Sequence, residues 1–245
     1  VVNAAGYRAG ELGKMFGRDV PCVSLAHQYL ITEPIAELTA RDEKLPLLRD
    51  PDSSYYLRQE KDGLLLGPYE KNCRAHWLSS DDPMPDDFSF QLYNDDLERL
   101  EWYIEDACAR VPILGTAGIT RVVNGPIPYT PDGLPLIGPM PSVPNAFEAC
   151  VFTFGIVQAG GAGKLLAETI IEGEAESDSW AVDPRRFTDH VDTAYTAAKA
   201  IETYSHEYAM HFPQIQWPAG RKSKFSPLYD RLKAAGAEFG SYGGW

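Results

Sequence analysis

The sequence predicts a mixed α/β protein of α+β character, and three observations carry that reading. Glu148 to Phe154 reads as a strand that leads through the glycine-rich segment Gly160-Gly161-Ala162-Gly163 into the helical pattern Leu165–Ile171. Two apolar runs, Tyr55–Gln59 and Leu64–Leu66, flank Asp62-Gly63, the signature of an antiparallel hairpin. The alternating stretch Val20–Ile31 and the stripe Leu97, Leu100, Ile104, Cys108, Val111 lie on either side of that hairpin. The first has the period of a strand and the second that of a helix.

Each element follows from local chemistry. Val1-Val2-Asn3-Ala4-Ala5-Gly6 is an apolar strand ending in a glycine turn, and it reads as a segment that starts inside a domain. Gly10–Phe16 is a short helix. Along Val20–Ile31, Cys22, Ser24, Ala26, Gln28 and Leu30 share one face, with Val23, Leu25, His27, Tyr29 and Ile31 on the other. Asp81–Asp87 is an acidic loop. Asn94 is placed to cap the next helix, Asp95, Asp96 and Glu98 favour its positive end, and Pro112 stops it. Pro126–Pro144 reads as loop, and Gly173 ends the helix that follows the glycine-rich segment. Pro184 and Arg185 mark a turn before a last clear helix over Asp192–Tyr204. Gly220-Arg221-Lys222-Ser223-Lys224 is the one basic cluster, and it opens a new module.

Composition sets outer bounds. A chain of 245 residues with 44% hydrophobic and 23% charged side chains can bury a real core. The net charge of −13 excludes a nucleic-acid partner and an anionic membrane surface, both of which need clustered Lys and Arg. No run is long enough to span a bilayer. Cys22, Cys73, Cys108 and Cys150 are scattered without CxxC spacing, which predicts neither a metal site nor a disulfide framework.

Two neighbouring stretches carry the functional signal. In Thr130-Pro131-Asp132-Gly133-Leu134-Pro135-Leu136-Ile137-Gly138-Pro139, the glycines allow close backbone approach to a ligand. In Phe154-Gly155-Ile156-Val157-Gln158-Ala159-Gly160-Gly161-Ala162-Gly163-Lys164, a glycine loop before a helix presents unpaired N–H groups and a positive dipole end. Together they resemble the closing half of a flavin site. Val2–Gly6, His27-Gln28-Tyr29-Leu30-Ile31-Thr32-Glu33-Pro34, Asn124-Gly125-Pro126 and the tail from Pro218 to Trp245 fit the same enzymes. On these residues the chain resembles the glycine-oxidase and sarcosine-oxidase superfamily of FAD-dependent amine oxidoreductases, in its dimethylglycine and sarcosine dehydrogenase branch. The GxGxxG unit with which such enzymes begin is not in this sequence, nor is their C-terminal folate-binding region.

The resemblance implies the returning part of a glutathione-reductase-like FAD-binding domain over 1–18 and an antiparallel substrate-binding domain over 19–122. It implies the C-terminal part of the FAD-binding domain over 123–204 and the start of a central domain over 205–245. It implies FAD as cofactor, with tetrahydrofolate bound by the absent region. The implied reaction is oxidative demethylation of an N-methylated glycine, by hydride transfer to flavin N5. The partners are that small-molecule amine and an electron-transfer flavoprotein. The implied location is the cytoplasm in a bacterium or the mitochondrial matrix in a eukaryote. A non-catalytic, flavoprotein-like regulatory subunit and an oxidase of other amino acids are the alternatives.

Residue by residue, the resemblance places His27 and Tyr55 on the flavin as catalytic groups. His27 is the acceptor of the amine proton, directly or through Tyr55, and Tyr55 positions the substrate, with Tyr56 as the other candidate. A base with a pKa near neutrality suits that task. Ala5, Gly6, Pro131, Asp132, Gly133, Gly155, Ile156, Gln158, Gly160, Gly161, Ala162, Gly163 and Lys164 are the expected cofactor contacts.

Overall fold

A computed structural model describes residues 1–79, 81–221, 224–241 and 245. Lys222 and Ser223 of the basic cluster lie outside the described residues, as do Tyr242, Gly243 and Gly244 of the tail. In chain order the elements begin with β1 (Val2–Asn3), α1 (Ala9–Lys14), β2 (Val23–Thr32), α2 (Ala36–Thr39) and β3 (Leu48–Asp50). β4 (Tyr55–Glu60), β5 (Gly63–Pro68), β6 (Ala75–His76), α3 (Glu101–Arg110) and β7 (Ile119–Tyr129) follow. The last are β8 (Leu136–Pro139), β9 (Phe147–Cys150), α4 (Gly155–Glu172), α5 (Thr193–Ser205) and α6 (Tyr229–Ala234). The chain divides into two compact units. One is Val1–Ser24, Pro128–Glu202 and Phe212–Trp245, and the other is Leu25–Ile127 and Thr203–His211.

In the first unit, β1 pairs in parallel with β9, and β9 pairs antiparallel with β8. Ala9, Val20, Leu136, Cys150 and Val151 form its small buried cluster. Asn3 locks the turn after β1: its amide donates to the Ala9 carbonyl at 3.0 Å and its oxygen accepts from the Ala5 N–H at 3.2 Å. Gly6 then takes φ +57°, a conformation that costs a glycine little.

The expected glycine loop at Gly160–Gly163 is not a loop. Gly160, Gly161, Ala162 and Gly163 all lie inside α4, whose first residue is Gly155. The strand expected to reach Phe154 ends at Cys150. Val151 turns the chain at φ +59°, and the helix starts at once from Phe154. Glycine weakens a helix by only about 0.5–1 kcal/mol per position. The good helix formers from Lys164 to Glu168 and the ladder of an 18-residue helix outweigh that. Gly173 ends α4 in the left-handed conformation at φ +89°, as its position predicts.

In the second unit a sheet runs in the order β3-β4-β5-β2-β6, with β7 also paired to β2. The β4–β5 hairpin forms where the sequence places it, but Glu60 pairs with Gly63, so Lys61 and Asp62 are the turn residues. Lys61, at φ +52°, supplies the left-handed step. Leu30, Tyr55, Leu57, Leu64 and Leu66 from one sheet face pack with Leu100, Tyr103, Ala107 and Leu114 from the α3 region. Ile104, Cys108 and Val111 of the predicted stripe join them, whereas Leu97 is left 42% exposed. Asn94 does not cap this helix. A 3-10 turn over Leu97–Leu100 opens it without a side-chain cap, and the Asn94 carbonyl instead accepts from Asn124 Nδ2 at 2.8 Å. The loop expected from Pro126 begins later, because β7 continues to Tyr129. Pro126 and Pro128 are two apart, so both missing N–H groups fall on one edge of the strand, where they break the fewest ladder bonds.

Candidate active site

Strand register decides which side chains can meet His27. Leu30 pairs with Leu66 and Leu66 with Leu57, so these three share the core face. Ile31 pairs with Leu65, Leu65 with Arg58, and Gly67 with Tyr56, which defines the opposite face. Alternation then places His27 and Tyr29 with Tyr56, and places Tyr55 with Leu57 on the core side. Tyr55 is fully buried. Burial together with Asp50 and Asp106 pushes its phenol up to about 12. Tyr55 therefore lies on the core face, away from His27, and the tyrosine that shares the histidine face is Tyr56. The Tyr56 ring lies across Gly67, where any Cβ would overlap it.

His27 sits among aromatic rings and one buried ion pair. Its ring centroid is 4.9 Å from that of Tyr69 and 5.7 Å from that of Tyr204. Tyr208 stands edge-on to both Tyr69, at 5.0 Å, and Tyr56, at 6.1 Å. Arg49 lies over the Tyr208 ring at 4.5 Å. His27 Nδ1 is 2.8 Å from Tyr204 Oη, and Tyr204 Oη donates to Glu70 Oε2 at 2.5 Å. Glu70 Oε1 takes Arg99 Nη2 at 3.0 Å and Gln28 Nε2 at 3.4 Å. Arg99 in turn reaches the Ala26 carbonyl, and Gln28 the Asp96 carbonyl, which ties the cluster to β2.

Burial, with the Arg99 charge adding to it, lowers the His27 pKa to about 4. The imidazole is thus neutral throughout the physiological range rather than poised at neutrality as expected. Burial also pushes the Glu70 carboxyl up, against the Tyr204 bond and the Arg99 charge that hold it down. Tyr69, Tyr204, Tyr208, Glu70 and Arg99 were not legible as site residues. Tyr204 lies 177 positions from His27, and only the fold brings them together.

The expected cofactor contacts all fall in the first unit. Thr130–Leu134 is a closed turn: the Gly133 N–H reaches the Thr130 carbonyl at 3.2 Å, with Gly133 at φ +75°. Asp132 is committed within it, accepting from Thr130 Oγ1, the Leu134 N–H and both Arg186 Nε and Nη2. Its carboxylate holds the turn. Pro131 shares this turn. Thr153 Oγ1 touches the Gly133 carbonyl at 3.4 Å, which puts the turn beside the start of α4.

That start is where the anion-binding capacity lies. No side chain caps α4, so its first-turn N–H groups point out of the helix N-terminus without a side-chain acceptor, and Ile156 and Val157 beside them are 96% and 83% exposed. Gln158 Oε1 is buried with no hydrogen-bond partner among the described residues. Gly160, Gly161 and Gly163 have open space where a Cβ would be, so a ligand can approach the bare backbone. Lys164, by contrast, is engaged by Glu168 and Glu176 at 3.2 and 3.5 Å along and beyond the helix. Ala162 is the one buried residue of α4 and faces the protein. Ala5 and Gly6 occupy the turn after β1.

The uncapped helix start and the exposed glycine backbone form a surface suited to an anionic or electron-rich ligand edge. Residues 1–169 match the model of the FAD dependent oxidoreductase family, and residues 172–226 match that of the FAD dependent oxidoreductase central domain. The chain belongs to the FAD-dependent oxidoreductases.

Dimethylglycine dehydrogenase of Mus musculus, a mitochondrial protein, is 42% identical over 250 residues. Sarcosine dehydrogenase of the same organism is 37% identical over 250 residues. Each alignment covers 100% of this chain but only 28% and 26% of the respective relative. The chain thus spans little more than a quarter of the curated relatives it matches. Among solved structures, L-proline dehydrogenase from P. horikoshii superposes with a TM-score of 0.58 at 25% identity, over 76% of this chain and 46% of that one.

Proposed function

We propose that this chain is part of an FAD-dependent dehydrogenase that oxidises an N-methyl group of a dimethylglycine- or sarcosine-type amine. The observation that carries the reading is the neutral His27 in its ring of tyrosines. The identity to dimethylglycine and sarcosine dehydrogenases over the whole chain supports the substrate class. Bound FAD would accept the hydride, one proton with two electrons, that leaves the methyl carbon.

The residues of this chain have definable tasks in that reaction. The turn at Pro131–Gly133 and the first turn of α4, with Gln158, would hold the N1–C2=O edge of the ring system, which gains negative charge on reduction. A positive helix end favours negative charge arriving there. An ammonium nitrogen has no lone pair to stabilise the cation formed at the methyl carbon, so its proton must be lost. A neutral imidazole can accept the hydrogen bond of that N–H, and His27 takes the part of proton acceptor in this reading. Tyr56 and Tyr208 offer ring faces and hydroxyls to the same side. Aromatic faces attract methylated ammonium groups by cation–π interaction, worth roughly 0.5–2 kcal/mol. The partners under this reading are the N-methylamine and, as electron acceptor, an electron-transfer flavoprotein.

The test uses the full-length, flavin-loaded protein under anaerobic conditions. Dimethylglycine or sarcosine is expected to bleach the flavin absorbance, and His27→Ala is expected to slow that bleaching while retaining FAD. No bleaching by any N-methylated glycine would overturn the substrate assignment. Unchanged kinetics in His27→Ala would remove His27 from the reaction. Reoxidation by an electron-transfer flavoprotein, rather than by oxygen, checks the acceptor.

A further inference from the structure

We propose that Tyr204 and Glu70 are positioning residues that fix the tautomer of His27, so that Nδ1 carries the proton and the Nε2 lone pair faces the substrate amine. The inference deepens the N-methylamine reading and rests on it for the nature of the acceptor's target. It starts from proton counting. A phenol has one proton, and that of Tyr204 is donated to Glu70 Oε2 at 2.5 Å. Towards His27, 2.8 Å away, Tyr204 Oη can then only accept, so the hydrogen on that contact belongs to Nδ1. A neutral imidazole with a proton on Nδ1 has its lone pair on Nε2.

The direction of the Tyr204 bond is set by Glu70. An ionised carboxylate accepts only. Arg99 Nη2 at 3.0 Å and Gln28 Nε2 at 3.4 Å both donate to Oε1, which leaves Oε2 for the phenol. Glu70 is 3% exposed, yet with Arg99, Lys71 and Trp102 it lines a cavity of about 340 Å³. The carboxylate therefore stands at the margin of the core rather than sealed in it. Arg99 Nη2 also bonds the Ala26 carbonyl, which pins the pair to the strand that bears His27. The chain Arg99–Glu70–Tyr204–His27 is thus polarised in one sense, and turning the Tyr204 hydroxyl towards His27 would leave two acceptors, Tyr204 Oη and Glu70 Oε2, face to face.

Tyr204 comes from a stretch outside residues 1–169, the part that matches the oxidoreductase model. It falls within 172–226, the part that matches the central-domain model. Thr203–His211 nevertheless belongs to the same compact unit as His27. The orientation of the base is therefore contributed by a segment that follows the oxidoreductase module in sequence.

The test is nitrogen NMR of the full-length, flavin-loaded protein labelled with [15N]histidine, with the His27 signals assigned by their loss in His27→Gln. The expected spectrum has a protonated Nδ1 and an unprotonated Nε2. Tyr204→Phe removes the acceptor and is expected to move His27 towards the opposite tautomer, with kcat/KM falling by ~10²-fold and FAD content unchanged. Glu70→Gln keeps an oxygen that can accept from Tyr204 and is expected to lie between the two in both readouts. An Nε2-protonated His27 in the unaltered protein would overturn the proposal without any variant. So would a Tyr204→Phe spectrum identical to that of the unaltered protein. If the tautomer is as expected but no N-methylamine reduces the flavin, the substrate reading fails while the positioning role stands.

Discussion

The Tyr56 ring lies against Gly67 of the neighbouring strand, a position that no residue with a Cβ could occupy without displacing it. Gly67→Ala is therefore expected to push Tyr56 off the sheet. Overpacking of this kind typically costs about 1–3 kcal/mol. If Tyr56 contacts the substrate, KM for the N-methylamine should rise in parallel. Denaturant unfolding and steady-state kinetics of the same variant check both. A stable Gly67→Ala with unaltered KM would detach Tyr56 from the site.

Tyr55 and Tyr56 are neighbours in sequence with opposite duties, and paired variants separate them. Tyr55 packs with Leu30, Leu57 and Leu66 in the core. Tyr55→Ala is expected to cost about 3–5 kcal/mol, as for a buried aromatic, and to act on kinetics only through lost folded protein. Tyr56→Phe is expected to leave stability within about 0.5 kcal/mol and to change KM or kcat. The reverse pattern would mean that Tyr55 faces the substrate after all.

The depressed pKa of His27 ties stability to pH with a definite sign. In the unfolded chain the imidazole titrates near 6.5, whereas in the folded protein it titrates at about 4. Between these values the unfolded state binds the proton and the folded state does not, so stability falls as pH drops from 6.5 towards 4 and then levels. The full difference is about 3 kcal/mol. Glu70, raised by burial, has the opposite sign and loses stability as pH rises above 4.5. Comparing unfolding curves of the unaltered protein with His27→Gln isolates the histidine contribution. Equal pH slopes in the two would show that His27 titrates normally. By the same token, the acid limb of kcat/KM should track the substrate amine and show no step near 6.5.

The elements legible in the sequence were those set by local period and punctuation. The β4–β5 hairpin, the α3 stripe and the Gly173 stop each depend on residues within a few positions of one another. What escaped was set by distance or by a small energy balance. The exclusion of Tyr55 from the histidine face follows from cross-strand register through β5, which no local pattern encodes. Tyr204 and Glu70 lie 134 positions apart and meet only in the folded unit. Gly160–Gly163 misled because glycine permits a loop without requiring one. A penalty of about 1 kcal/mol per glycine decides nothing against a full helical ladder.

The Asp132–Arg186 pair offers a way to separate holding the turn from touching the cofactor. Arg186 reaches Asp132 with two nitrogens at 2.8 and 2.9 Å and also bonds the Leu134 carbonyl at 2.8 Å. Arg186→Ala is expected to loosen the turn and to weaken FAD retention indirectly. Asp132→Asn keeps the shape and one acceptor, so it should weaken retention less. Flavin content after extensive dialysis measures this. Equal, complete loss in both variants would point instead to direct contact by the Asp132 carboxylate.

The glycines of α4 set stability against cofactor binding. Gly160 is mid-helix with nothing within 4 Å of where its Cβ would be, so Gly160→Ala meets no obstacle in the protein itself. Removing a glycine from a helix interior should stabilise α4 by roughly 0.5–1 kcal/mol in the absence of cofactor. A ligand lying against bare backbone would meet the new methyl group. FAD affinity should then fall even as the apoprotein melts higher, a pairing that a purely structural glycine cannot produce. Thermal unfolding with and without added FAD gives both numbers from one preparation. If Gly160→Ala raises stability equally in the two conditions, the exposed glycine face of α4 does not touch the flavin. The cofactor contacts would then shrink to the first turn of the helix and the Gly133 turn beside it.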